Sequence, residues 1–449
     1  MKREAEKFLE QWYKNKHKKP LVIRGARQVG KSTLVRQFAA SLGIPLWEIN
    51  LERHPQLDTL FEQKEIPQIL KEIEFIIEDG PISGAGILFF DEIQASAKAI
   101  SALRYFHEDR PEIPVIAAGS LLEFTLSNYQ YSMPVGRIEY YYLGPMTFLE
   151  YLDALEETKL AEYIRSYTIS APASKIAHDR LIGHLRDFFF VGGMPEAVAS
   201  FIQTKDSNAA RAIHRSILNT YRDDFGKYAR KNELLHLQRV FDYIPSAVGE
   251  KFKYANVNPA WRSREVRSAV DLLSLAGVIY RVHHTDAAGI PIGATIDDSV
   301  FKAFFLDIGL MNTSCGFRGV SLEEFRSARF VNEGKIAEQY IGQHLLYEGN
   351  RDSRPELFYW LREGHKGNAE VDFILQIDGT IIPVEVKAGK SGSLRSLHQF
   401  VAAKHISTAV RFDLNQPSLQ VVEHGLTLEN SSTAVKFHLI SLPLYMVEV

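Results

Sequence analysis

Short apolar runs alternate with longer amphipathic stretches over the first 145 residues. The runs are Leu21–Ile23, Leu46–Ile49, Ile87–Phe90 and Val115–Ala118, three of them wholly apolar. Between them, a period near 3.6 predicts helices at about 33–42, 65–78 and 97–109. An earlier helix over 2–14 carries Phe8, Leu9 and Trp12 on one stripe. Strands and helices in alternation predict βαβ units and an α/β fold with a parallel, doubly wound sheet.

After Pro145 the pattern changes. Residues 147–165 and 175–225 read as mainly helical, interrupted at Gly192-Gly-Met-Pro195. Residues 232–285 give further helices and then a β-like run, Gly277–His283. Helices followed by a strand, with Arg262, Arg264 and Arg267 among them, suit a winged-helix-like segment able to meet DNA. The same face would equally suit docking to the α/β module that precedes it. From about 325 a helix, Val331–Leu346, precedes strands at Leu357–Leu361, Glu370–Ile377 and Ile381–Lys387 and a helix at 393–403. This is a second α/β module.

The first apolar run leads into Gly25-Ala-Arg-Gln-Val-Gly-Lys31-Ser32, which fits the phosphate-loop pattern G-x-x-x-x-G-K-[ST] between a strand and a helix. Such a loop turns successive backbone N–H groups toward phosphate oxygens, and the helix start adds free donors and a positive dipole end. The candidate nucleotide contacts are Gly25, Ala26, Arg27, Gln28, Val29, Gly30, Lys31, Ser32 and Thr33. Lys31 is placed to reach the β- and γ-phosphates of ATP, and the Ser32 hydroxyl to hold Mg²⁺.

The third run ends in Asp91-Glu92. A buried parallel strand is apolar throughout, and its C-terminal end delivers such acids beside the phosphate loop. Asp91 is expected to hold Mg²⁺ and Glu92 to polarise the attacking water. The fourth run ends at Gly119-Ser120, where Ser120 suits either a γ-phosphate sensor or a plain turn. Arg137 suits a charge-neutralising arginine, within the subunit or across to a neighbour in a homo-oligomer, or else a surface ion pair.

In the second module, Asp372 lies thirteen residues before Glu385-Val-Lys387. Adjacent strands carrying D…E-x-K put two carboxylates and an amine at one end of a sheet, because strand side chains alternate. Asp372 and Glu385 are hard oxygen ligands for Mg²⁺, Glu338 on the preceding helix suits a further metal or water contact, and Lys387 suits transition-state support. Arg362, Lys366 and Lys390 are candidate phosphate contacts, and Tyr359 and Trp360 candidate base-stacking rings whose plainer reading is strand packing.

With 52 Lys and Arg against 55 Asp and Glu, bulk charge does not single out nucleic acid or membrane. One cysteine, Cys315, excludes an internal disulfide framework and suits a reducing compartment. No run approaches the ~20 apolar residues of a membrane helix, and the charged start lacks a signal core. A cytoplasmic protein without membrane partner is expected.

Several blocks together resemble a large prokaryotic AAA-type ATPase family. They are Arg24–Lys31, Phe89–Gln94, Ala118–Ser120, Gly136-Arg137 and Leu143–Glu150, with Gly192–Glu196 and Phe305–Leu310 further on. Its members join a P-loop ATPase to a C-terminal domain of unknown function, which here resembles PD-(D/E)xK nucleases, with Val371 in place of the proline. The resemblance implies an ATPase core over 1–145, a helical lid over 146–228, a winged-helix-like segment over 229–322 and a restriction-endonuclease-like α/β domain over 323–449. The leading expectation is an ATPase coupling nucleotide state to nucleic-acid handling. Two alternatives stand beside it: an ATP-gated metal-dependent DNA nuclease, and a regulatory or interaction ATPase with a non-catalytic C-terminal domain.

Overall fold

A computed structural model describes the chain apart from residues 64, 78–79, 121, 123–133, 135, 231–232, 317–332, 350, 365–367, 390–391, 429–430 and 449. Two units emerge: Met1–Met146 with Leu275–Val278 and Gly349–Pro355, and Thr147–Ser274 with Ile279–Glu348 and Glu356–Val449. No helix among the described residues is long and apolar enough to cross a membrane.

The first unit contains α1 (Ala5–Lys14), β1 (Leu21–Arg24), α2 (Lys31–Leu42), β2 (Leu46–Asn50), α3 (Leu57–Gln63), α4 (Ile66–Ile77), β3 (Ile87–Asp91), α5 (Ala97–Asp109), β4 (Val115–Ala118) and β5 (Glu139–Tyr142). The strands form a sheet in the order β2-β3-β4-β1-β5, and every pairing is parallel. All five residues of β3 are buried, as expected for a strand covered on both faces. Phe61, Phe90 and Phe106 meet in the core beneath it, with ring centroids 5.7 and 5.6 Å apart. Strand β5 does not follow from the apolar pattern, because Glu-Tyr-Tyr-Tyr carries no continuous apolar run. Its rings instead receive Arg24, whose guanidinium lies 4.2 Å from the Tyr140 centroid.

In the second unit, helices α6 to α10 span Phe148–Ala154, Thr158–Arg165, Lys175–Val191, Pro195–Thr204 and Ser207–Tyr228. Then come α11 (Leu234–Ala247), α12 (Tyr254–Val257), α13 (Ser263–Leu275), β6 (Ile279–Thr285), β7 (Ile296–Phe305), α14 (Ile308–Ser314) and α15 (Glu333–Leu345). The remaining elements are β8 (Leu357–Arg362), β9 (Ala369–Ile377), β10 (Thr380–Val386), α16 (Arg395–Lys404), β11 (Thr408–Asp413), β12 (Ser418–Leu428) and β13 (Ser431–Pro443).

The strands of this unit form one mixed sheet, β12-β13-β11-β10-β9-β8-β6-β7. Helices α11 to α13 precede an antiparallel β6–β7 pair, the order expected of a winged helix. Strand β6 also pairs with β8, so the pair is the margin of the large sheet instead of a free wing. Strand β7 escapes the sequence pattern because Ile296-Asp-Asp-Ser starts polar, and only its second half is buried.

Two blocks far apart in sequence meet in this unit. Gly192 ends α8 at φ 67°, and a Cβ there would lie 2.3 Å from Asp307 Oδ1. The Gly193 N–H donates to Asp307 Oδ2 at 2.6 Å, while Leu310 N–H donates to Oδ1 at 3.0 Å and so caps α14. Burial pushes Asp307 up to about 6, and the backbone donors Gly193, Leu310 and Gly309 pull it back. His214, wholly buried, lies 2.9 Å from the Val191 carbonyl and 3.0 Å from Thr313 Oγ1. Cys315, just past α14, is a free thiol.

Candidate functional site

The phosphate loop joins β1 to α2, and its shape depends on a close crossing. Gly25 sits at φ 141°, and a Cβ there would lie 2.1 Å from the Leu143 carbonyl oxygen, so only hydrogen fits. Buried Arg3 braces the outer side, donating to Val29 O at 3.0 Å and Gly144 O at 2.9 Å. Nothing local in the lysine- and arginine-rich start marks Arg3 as structural.

Lys31 opens α2, immediately after Gly30 at φ 94°. Its ammonium donates to Gly25 O at 3.0 Å and Ala26 O at 2.9 Å. Burial pulls Lys31 down to about 8, against the opposing charges of Glu92 and Asp91. Ser32 Oγ donates to Asp91 Oδ1 at 2.8 Å. Burial raises the Asp91 carboxyl above its ordinary value, the Ser32 hydrogen bond lowers it, and the charge of Glu92 raises it again.

Strand β4 lies between β1 and β3, so its end projects between the loop and the two acids. Ser120 Oγ there is buried without a hydrogen-bond partner among the described residues, as is Gln28 Oε1. Glu92, at φ 50°, accepts from Gln94 Nε2 at 2.5 Å. Arg27, Gln28, Gly30, Lys31, Ser32, Thr33, Asp91, Glu92, Gly119 and Ser120 line a cavity of about 190 Å³. Ala26 and Val29 are buried in the core, so their backbone alone is available to a ligand. The orphaned Ser120 hydroxyl and the Ser32–Asp91 pair fit a nucleotide with its Mg²⁺. Arg137 is not among the lining residues; its Nε donates to Glu108 Oε1 at 2.9 Å in a half-exposed ion pair.

The carboxylates of the second unit also come together, around a residue outside the D…E-x-K pattern. Lys302 on β7 is wholly buried, with Nζ 3.2 Å from Glu338 Oε2, 2.5 Å from Glu370 Oε1 and 3.8 Å from Asp372 Oδ1. Asp372 Oδ2 accepts from Val386 N–H at 2.7 Å. Lys387 Nζ donates to Glu385 Oε1 at 2.5 Å, while Glu385 Oε2 is buried without a partner among the described residues.

Burial alone would lower Lys302, yet Glu338, Asp372 and Glu370 together hold it above the ordinary lysine value. Burial pushes Glu338 up to about 8, with Lys302 pulling it back. It pushes Glu385 to about 8 as well, reinforced by Asp372 and opposed by Lys387.

Of the metal set expected from sequence, Glu338 and Asp372 therefore face the Lys302 ammonium, while Glu385 pairs with Lys387. Among the described residues, no three His, Cys, Asp or Glu side chains converge to hold a metal ion. The donor set does not fit a divalent ion, because Lys302 already stands among it. A lysine inside the apolar run Val300-Phe-Lys-Ala-Phe-Phe305 was the available signal. Tyr359 and Trp360 are buried, Trp360 against Phe400 with centroids 5.1 Å apart, so strand packing replaces base stacking. Arg362 donates to Gln399 at 2.7 Å. Lys366 and Lys390 lie outside the described residues.

Comparison with known proteins agrees with the first of these sites. The AAA domain family matches residues 17–152. Two domains of unknown function match residues 182–321 (DUF8612) and 333–443 (DUF4143). No curated protein matches the chain. Solved structures similar to it include PCH-2 from C. elegans, at 13% identity over 46% of this chain and 65% of that one, TM-score 0.27. Katanin is similar at 15% identity over 43% and 60%, TM-score 0.24. A RuvB variant from Thermotoga maritima is similar at 18% identity over 62% and 88%, TM-score 0.27. The chain spans less than two thirds of the PCH-2 and katanin chains. With the loop, the strand-end acids and the family match in agreement, residues 17–152 are an AAA-type P-loop ATPase domain.

Proposed function

We propose that the chain hydrolyses ATP in a Mg²⁺-dependent reaction at the β1–α2 loop and couples nucleotide state to the handling of nucleic acid. The observation that carries the first part is the Ser32–Asp91 hydrogen bond, 2.8 Å long, at the mouth of the loop. It joins the two oxygens that would hold Mg²⁺, whose role when bound is to neutralise phosphate charge. The loop amides and the start of α2 cradle the phosphates. Lys31 exchanges its carbonyl partners for β- and γ-phosphate oxygens. Glu92 orients the attacking water, and Ser120 donates its free hydroxyl toward the transferring phosphoryl group. Positioning and charge neutralisation of this kind suffice for phosphoryl transfer.

Nucleic acid enters through α13. Arg262 at its threshold and Arg264 and Arg267 on it are exposed, and three cations on one short stretch match a phosphate backbone. Arg137, released from Glu108, acts across to a neighbouring subunit of a homo-oligomer.

Phosphate release and a DNA-mobility assay test the two parts separately. Lys31→Ala is expected to abolish hydrolysis, and Glu92→Gln to retain ATP unhydrolysed; unchanged release in Lys31→Ala overturns the ATPase reading. DNA retention should weaken as salt rises and on Arg264→Ala/Arg267→Ala. Retention indifferent to both removes nucleic acid from the proposal.

A further inference from the structure

The carboxylate cluster of the second unit has the composition of a metal-dependent hydrolytic centre, but a lysine stands in it. We propose that the Lys302 ammonium is the resident cation of this cluster, replacing a divalent metal, and that this module is not a metal-dependent nuclease.

The geometry argues this from each carboxylate in turn. Glu338 and Glu370 lie within 3.2 and 2.5 Å of Lys302 Nζ. Asp372 gives one oxygen to the Val386 amide and turns the other toward Lys302 at 3.8 Å. Glu385 gives one oxygen to Lys387. Glu385 Oε2 is buried with no hydrogen-bond partner among the described residues. A hard divalent ion in such a site takes its charged oxygens from one or two carboxylates and fills the rest of its shell with water. Here Glu338 and Asp372, which would supply them, already face the Lys302 ammonium.

A second cation cannot simply join the first. Lys302 is wholly buried, and a divalent ion a few ångströms from its ammonium meets strong repulsion in a poorly screened interior. The seat is also shaped for a lysine. The Tyr359 ring faces Nζ from 5.2 Å, a contact that favours an ammonium. On the Glu338 side the chain approaches closely at Gly249, where a Cβ would lie 2.8 Å from Glu338 Oε2. Lys302 links β7, β9 and α15, so the cluster is a structural clasp within one unit.

The test is Mn²⁺ binding to the nucleotide-free full chain, read by electron paramagnetic resonance, with cleavage of plasmid and linear DNA measured in parallel. The wild type is expected to show no Mn²⁺ site that depends on Asp372 and no cutting that Asp372→Asn abolishes. Folded Lys302→Ala is expected to gain one Mn²⁺ per chain, lost again in Lys302→Ala/Asp372→Asn. An Asp372-dependent Mn²⁺ site or Asp372-dependent cutting in the wild type overturns the proposal, as does a folded Lys302→Ala that gains nothing. Should Lys302→Ala fail to fold, the wild-type measurements decide. None of these readings uses ATP hydrolysis, so the outcome is separate from that of the ATPase assay.

Discussion

The Ser32 hydroxyl donates to Asp91 Oδ1 at 2.8 Å, joining the start of α2 to the end of β3 although β4 lies between the strands that lead to them. Fifty-nine residues separate the two in sequence. Both oxygens therefore address one point, and either substitution should weaken Mg²⁺ use more than ATP binding. Ser32→Ala is expected to raise the Mg²⁺ concentration for half-maximal hydrolysis by about tenfold, the scale of one charge-assisted contact. Ser32→Ala/Asp91→Asn should cost less than the sum of the single changes, since the two act through one ion. Phosphate release titrated with Mg²⁺ checks both statements.

Ser120 tests whether the buried free hydroxyl at the end of β4 serves chemistry. A donor used only in the transition state lowers turnover when removed while leaving ATP binding in place. Ser120→Ala is expected to slow hydrolysis by about 10²-fold, the usual scale for one such donor. Single-turnover hydrolysis compared with nucleotide binding separates the two effects. Equal losses in both would make Ser120 a packing residue.

The pH dependence of ATP binding follows from Lys31, which burial holds near 8 against an ordinary 10.5. Phosphate binds the ammonium, so binding takes up a proton wherever the free protein has lost it. Affinity should be flat below about pH 8 and fall above it, by at most about tenfold per pH unit. The same depressed value gives the opposite trend in stability. Between pH 8 and 10.5 the unfolded chain holds more protons at this site, so its contribution to stability rises with pH. Nucleotide titrations from pH 6.5 to 9.5 should show the break, and Lys31→Arg, whose charge persists, should lose it.

The meeting of Gly192 with Asp307 predicts a local cost. Gly192→Ala places a methyl where Asp307 Oδ1 lies 2.3 Å away, at a positive φ that disfavours a side chain. A loss of about 1–3 kcal/mol is expected. Hydrogen exchange at the Gly193 and Leu310 amides should accelerate with it, because both donate to Asp307. Asp307 also sets a pH window. Its carboxyl is raised to about 6, so the folded state holds the extra proton and this contribution is lost as pH rises from about 4 through 6.

Much of the first site was legible in the chain. Gly25 to Ser32 and Asp91-Glu92 sit on local patterns, an apolar strand followed by a turn or by acids, and local patterns need only neighbouring residues. Strands β1, β3 and β4 and helix α5 appear where the apolar runs and the 3.6 period place them. The polar and aromatic strand β5 and the half-exposed β7 were not legible, because their partners, not their own residues, make them strands. Arg137 shows the same limit from the other side, for only the fold brings Glu108 within reach of its guanidinium.

The sequence by itself determined the chemistry available: a phosphate loop, two strand-end acids, and a D…E-x-K pair on adjacent strands. Tertiary structure decided what each group faces. It inserted β4 between β1 and β3, which brings Ser120 to the phosphate loop, and it packed β7 so that Lys302 enters the carboxylates of β9 and α15. The physical reason is range. Strand and helix periodicity act between near neighbours, whereas a buried charge is settled by whichever opposite charge the fold carries to it, here Lys302 to Glu370 across 68 residues of chain.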